Sequence, residues 1–157
     1  METLENEFTQ FMVKVMEGMG FEILSAKLFS ITFLGPDEVS LDELEKKTGY
    51  SPASVCNKMN LLEHIGMVKR IKKPGTKKVY YYADKDFSEM MKFKINMALE
   101  KEINPAKEEL PKIIGKYQSR SLTSTEKRRI EKVKNYYSQI MKFEKVLKRF
   151  MQEVEGL

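Results

Sequence analysis

The sequence predicts a mainly α-helical fold with one small β-hairpin, and three observations carry that prediction. Apolar residues recur at helical spacing over much of the 157-residue chain. Two serine-led helix starts, Ser40-Leu-Asp-Glu43 and Ser51-Pro52, follow each other closely. Two β-rich runs, Met67 to Lys72 and Val79 to Tyr82, then flank a Pro74-Gly75 turn.

The first helix is expected over about Thr3 to Gly18, where Leu4, Phe8, Phe11, Met12, Val15 and Met19 share a stripe. A second begins after Gly20, with Phe21, Leu24, Leu28 and Ile31 on one face, and stops at Gly35-Pro36 with Gly35 as a left-handed cap. Both read as amphipathic core or dimer helices. Ser40 and Glu43 have capping-box spacing and open a short helix ending at Thr48-Gly49, with Lys46 and Lys47 near its C-terminal dipole. Ser51 caps the next helix, Pro52 takes its first position, and Val55, Met59 and Leu62 form its inner face. Its outer face then offers Ser51, Ser54, Asn57, Lys58 and Asn60.

Beyond Asp84 helices are expected from about Asp86 to Ile103 and from Pro105, capped by Asn104, to about Tyr117, with a kink or break at Pro111. Thr123-Ser-Thr-Glu126 is a second capping box, opening about 30 residues without Gly or Pro. There Ile130, Tyr137 and Met151 share one heptad position and Val133, Ile140, Leu147 and Val154 the other, with Glu144 the polar intrusion. Tyr136, Phe143 and Phe150 widen the stripe. Such a helix needs a partner surface, in a second copy or among its own subunit's helices.

Charge narrows the function. The chain holds 28 basic and 23 acidic side chains, net +5, but residues 1–39 carry net −5 and residues 40–85 net +5. No Asp or Glu lies between His64 and Ala83, while Lys69, Arg70, Lys72, Lys73, Lys77 and Lys78 do. That run suits phosphate contact through counterion release. The single cysteine, Cys56, excludes an intrachain disulfide, and with His64 as the one other soft ligand there is no basis for a metal site. An oxidation switch at Cys56 is less in keeping with a lone cysteine than a small apolar role. The acidic start and short apolar runs indicate neither a secretion signal nor a membrane span, so a cytoplasmic location is expected. With no Gly-rich phosphate loop and no nucleophile–base pair, an enzyme is not expected, nor any cofactor.

The order helix, capped short helix, tight turn, helix and basic hairpin is the winged helix-turn-helix arrangement, with residues 52–63 as recognition helix and 73–78 as wing tip. Through Ser40-Leu-Asp-Glu-Leu-Glu-Lys-Lys-Thr-Gly49, Ser51 to Val68 and Lys73-Pro-Gly-Thr-Lys-Lys-Val-Tyr-Tyr-Tyr82, the chain resembles the MarR superfamily of transcriptional regulators, most closely its GbsR-like branch. The resemblance covers about residues 21–84, and Leu62-Glu63-x-x-Gly66-Met67-Val68 is its most specific piece. It implies a homodimer on double-stranded DNA, with residues 1–20 as N-terminal dimerisation helix, 21–85 as DNA-binding domain and 86–157 as C-terminal dimerisation region. Thr76-Lys77-Lys78 stands where many of these wings carry an Asp-Arg pair, which favours phosphate contact by Lys77 and Lys78 over base reading.

The expected DNA-binding residues are therefore Ser51, Ser54, Asn57, Lys58, Asn60, Lys72, Lys73, Thr76, Lys77 and Lys78. Superfamily members often release DNA when a small molecule wedges between the DNA-binding lobes and the dimer helices, so the resemblance also implies an effector. Tyr80, Tyr81 and Tyr82 read as split between hairpin packing and surface, in preference to the aromatic cage for a quaternary ammonium ligand that a GbsR-like resemblance brings with it, which no spacing here demonstrates. A protein-docking winged helix without DNA binding is the rival function, disfavoured by the lysine-rich wing.

Overall fold

Helix α1 (Leu4–Gly18) starts where the Thr3 side chain accepts a bond from the Asn6 N–H. The computed structural model describes residues 3–157; Met1 and Glu2, part of the expected 1–20 region, lie outside them. Met12 and Met16 turn inward, and Phe8 stacks on Phe33 of α2 (Ile23–Leu34) with ring centroids 5.2 Å apart. The outward side of α1 leaves Leu4, Phe11, Val15 and Met19 exposed.

Helix α2 differs from the amphipathic expectation. Leu24, Ser25, Ala26, Leu28, Phe29, Ser30 and Thr32 are all buried, so the helix is covered on most of its circumference. Two of its hydroxyls reach their own backbone: Ser30 donates to the Ala26 carbonyl and Thr32 to the Leu28 carbonyl, each at 2.8 Å. Gly35 ends the helix with φ −76°, which is not the left-handed cap expected from sequence. Glycine is needed there for space, because a Cβ would lie 2.5 Å from the Ile31 carbonyl oxygen.

Strand β1 (Val39–Ser40) leads into α3 (Leu41–Thr48), a tight turn, and α4 (Pro52–His64). The capping box forms as expected: the Ser40 hydroxyl accepts from the Glu43 N–H at 3.3 Å, and the Glu43 carboxylate accepts from the Ser40 N–H at 2.8 Å. The Ser40 N–H first and the Ser40 hydroxyl second, both donating to the carboxylate, hold the Glu43 carboxyl below its ordinary pKa. Helix α4 stops in a Schellman turn. Gly66, at φ 75°, donates to the Glu63 carbonyl and Met67 to that of Leu62, while Leu62 and Met67 are both buried. The specific Leu62-to-Val68 sequence is thus the code for that stop.

Strands β2 (Lys69–Lys72) and β3 (Val79–Tyr82) form the expected hairpin, pairing Lys69 with Tyr82 and Lys72 with Val79. The sheet has a third strand that was not expected, because β1 pairs with the other edge of β3, Val39 facing Tyr81. Successive residues of β3 point to opposite sides, so Tyr81 is buried while Tyr80 and Tyr82 flank the other face. Tyr81 thus packs into the core while Tyr80 and Tyr82 remain partly exposed, the split between hairpin packing and surface expected from sequence.

Two compact units divide the chain, the second running Met91–Leu157. Helix α5 (Phe87–Ala98) passes into a single wide π-helical stretch, Leu99–Ile103, and then into α6 (Asn104–Gln118). Asn104 therefore does not cap a new helix; its backbone is helical and its N–H bonds to the Leu99 carbonyl. The wide turn ends at Ile103, with Asn104 between it and Pro105, and the Pro105 ring would crowd the Lys101 carbonyl of a regular α-turn. Nor does α6 break at Pro111. That proline deprives the Lys107 carbonyl of a donor, but Lys107 is exposed, where water can satisfy it.

Helix α7 (Ser124–Glu155) opens with the expected Thr123–Glu126 capping box and packs on α6. Its Ile130, Glu144 and Val154 are buried, whereas Tyr136, Phe143, Val146 and Phe150 stand exposed. Glu144 is paired within its own chain, its carboxylate meeting Lys107 and Lys148 at 2.8 Å each. Lys107 first and Lys148 second hold its carboxyl below the ordinary range. A depressed folded-state value gives stability that is present above the unfolded value and is lost as pH falls through the folded one. The second unit should therefore lose helicity on acidification below about pH 4. A circular-dichroism pH titration should show this acid limb weakened in Glu144→Gln; identical limbs would contradict the assignment.

Candidate nucleic-acid interface

Helix α4 is fixed from beneath by Val55, Met59 and Leu62, all fully buried in the first unit's core with Leu28, Leu44 and Tyr81. What remains outward is a stripe of Ala53, Asn57, Asn60, Leu61 and His64. Sequence reasoning missed Ala53 and Leu61, because small or apolar residues carry no polar signal, yet a thymine methyl is an apolar target in the major groove.

The polar residues at the start of α4 are partly committed to its own structure. Ser51 caps the helix, accepting from the Ser54 N–H at 3.3 Å and donating to the Ser54 hydroxyl at 2.9 Å. Ser54, Asn57 and Lys58 share an open concavity with Tyr50, Glu22 and Ile23. Lys58 is half-buried on that flank, 2.6 Å from the Glu22 carboxylate. Asn60, on the opposite flank, accepts a bond from Arg70 of β2, and the same guanidinium lies 3.0 Å from Glu63. Arg70 thus joins the wing to α4, a role invisible in a run of basic residues.

The wing loop, residues 73–78, is exposed throughout. Gly75 takes φ 80° at its tip, and the Thr76 hydroxyl accepts from the Lys78 N–H at 3.1 Å, shaping the turn. Lys73 lies over the Tyr80 ring, 4.3 Å from its centroid, and pairs with Glu38; Lys78 pairs with Asp42 of α3 at 3.1 Å. These carboxylates, accepting from each ammonium, raise both lysine pKa values, so both stay charged at neutral pH. Lys72 and Lys77 hold no ion pair among the described residues. The fold therefore puts a partly polar helix face and a lysine-tipped hairpin on one unit, with Ser51, Ser54, Asn57, Lys58 and Asn60 on the helix and Lys72, Lys73, Thr76, Lys77 and Lys78 on the hairpin. Cys56 is half-buried beside Asn60, whose amide reaches its sulfur at 3.8 Å.

Among the described residues, no group of three or more acidic, His or Cys side chains is placed to hold a metal ion, and no helix is long and apolar enough to cross a membrane. No protein-family model matches the sequence, and no curated protein matches it. Among solved structures, a crystal structure described as that of a transcriptional regulator is similar, with TM-score 0.70 at 16% identity, covering 98% of this chain and 99% of that one. At that identity the likeness establishes architecture: this chain has the mainly helical, winged helix-turn-helix fold found in that regulator.

Proposed function

We propose that this protein is a transcriptional regulator of the MarR superfamily, nearest its GbsR-like branch, that binds double-stranded DNA sequence-specifically as a cytoplasmic homodimer. The observation that carries the reading is the pairing, on one unit, of the exposed α4 face with the lysine wing beside it. Helix α4 enters the major groove, where Asn57 reads a base edge and Lys58 reads a guanine or a phosphate. Lys72, Lys73, Lys77 and Lys78 grip the sugar-phosphate backbone without reading sequence. The uncovered apolar stripes on α1 and α7 supply dimer contacts, residues 1–20 and 86–157 flanking a DNA-binding domain at 21–85. The neighbour's description as a transcriptional regulator supports the reading. Twofold symmetry then requires a pseudo-palindromic operator, and a small-molecule effector is the natural release signal for this architecture.

Fluorescence anisotropy on an enriched site and on random duplex separates the roles. Lys77→Ala and Lys78→Ala should weaken binding to both and flatten the dependence of log K on log salt by up to about one unit each. Asn57→Ala should change sequence preference by about 1–3 kcal/mol at one base pair and leave the random duplex nearly unaffected. Equal losses on every sequence from all three would contradict this division. Salt-insensitive capture of a partner protein, with no duplex binding at low salt, would favour a protein-docking module instead.

A further inference from the structure

Four cations of the α4–wing surface are already engaged in the free protein. Lys58 is held by Glu22, Arg70 by Glu63, Lys73 by Glu38 and Lys78 by Asp42, every one a carboxylate of the same unit. Two of these acids come from the segment that positions the helix-turn-helix: Glu38 immediately precedes β1, and Asp42 stands in the first turn of α3. Both hold ammonium groups of the loop that the proposed function places on phosphate.

Resting on that duplex-binding reading, we propose that Glu38 and Asp42 act as built-in phosphate surrogates. Each phosphate contact made by Lys73 or Lys78 is then an exchange of carboxylate for phosphate, and these two acids limit the wing's share of DNA affinity. The exchange is physically easy. Exposed pairs of this kind change a binding constant by roughly fivefold at most. Neither acid nor base is stranded by it: Asp42 keeps the favourable field of the α3 N-terminus, and Lys73 keeps the Tyr80 ring. The exchange also has a signature in salt. A phosphate neutralised by lysine releases a counterion, but a displaced carboxylate takes one up, so Lys73 and Lys78 contribute less to the salt slope than unpaired Lys77 does.

The test is a double-mutant cycle on DNA binding by the full chain, across a range of salt. Asp42→Asn should tighten binding about threefold on enriched and random duplexes alike, and should steepen the salt slope by a fraction of a unit. The gain should vanish when Lys78→Ala is already present. Glu38→Gln should behave the same way through Lys73, and Lys77→Ala should flatten the slope more than Lys78→Ala. Weaker binding by Asp42→Asn would overturn the proposal, showing that the pair positions the wing. A gain that persists undiminished with Lys78→Ala would overturn it too, showing general repulsion by a surface acid. Wild-type protein that binds duplex normally while neither variant differs from it defeats this proposal alone, whereas wild type that binds no duplex at 50 mM salt defeats the DNA-binding reading beneath it. Thermal melts identify any variant whose fold has changed.

Discussion

Replacing Phe143 and Phe150 together with glutamate should yield a monomer whose affinity for an operator-length duplex falls by about a hundredfold or more. Both rings lie on α7 one heptad apart, 51% and 41% exposed, in line with Tyr136. A stripe of large apolar groups on a soluble surface is usually covered in the working assembly. In the proposed homodimer, carboxylates at its centre put unpaired charge where the second copy would have to dehydrate the surface, so association should fail. Each chain alone still carries one α4 and one wing, but it loses the gain from binding two half-sites as a single body. The substituted positions contribute little to their own subunit's core, so circular dichroism should show the wild-type helix content. Sedimentation equilibrium reads the outcome, and an intact dimer would move the subunit contact away from this stripe.

The second large effect is on stability. Leu62→Ala should cost about 2–5 kcal/mol in urea unfolding of the first unit. Its side chain is 0% exposed, and its carbonyl accepts from Met67 at 2.9 Å and from Val68 at 3.4 Å as the chain leaves α4 for the sheet. The cavity would therefore open where α4 is anchored, and the proposed DNA binding should weaken although every outward side chain is retained. The neighbouring Leu61, 37% exposed, provides the contrast. Leu61→Ala should change stability by no more than about 0.5 kcal/mol and alter preference at a thymine-bearing position instead. Similar unfolding midpoints for the two variants would contradict the orientation of α4.

Local chemistry was legible in the sequence. The capping boxes at Ser40 and Thr123 and the Ser51-Pro52 start are set by residues within one helical turn of each other, so spacing alone defines them. The Leu62-to-Val68 signature is likewise a local Schellman turn. What depends on distant partners was not legible. Helix α2 is covered by several elements at once, which masks any one-sided stripe. Strand β1 spans two residues and exists because β3 offers it an edge. At the site, the inner face of α4 followed from periodicity, but the pairing of Lys58 with Glu22 and of Lys73 with Glu38 joins residues far apart in sequence. Charge counting registers such lysines as free cations and cannot show which carboxylates hold them.

Selection of genomic fragments by the purified chain, followed by sequencing, tests the central claim most directly. Two α4 helices entering one face of a duplex predict an enriched motif with inverted symmetry and half-site centres about one helical turn, ~34–36 Å, apart. Recovery that follows fragment length alone, or a single asymmetric motif bound by one copy, would contradict a twofold operator-binding regulator.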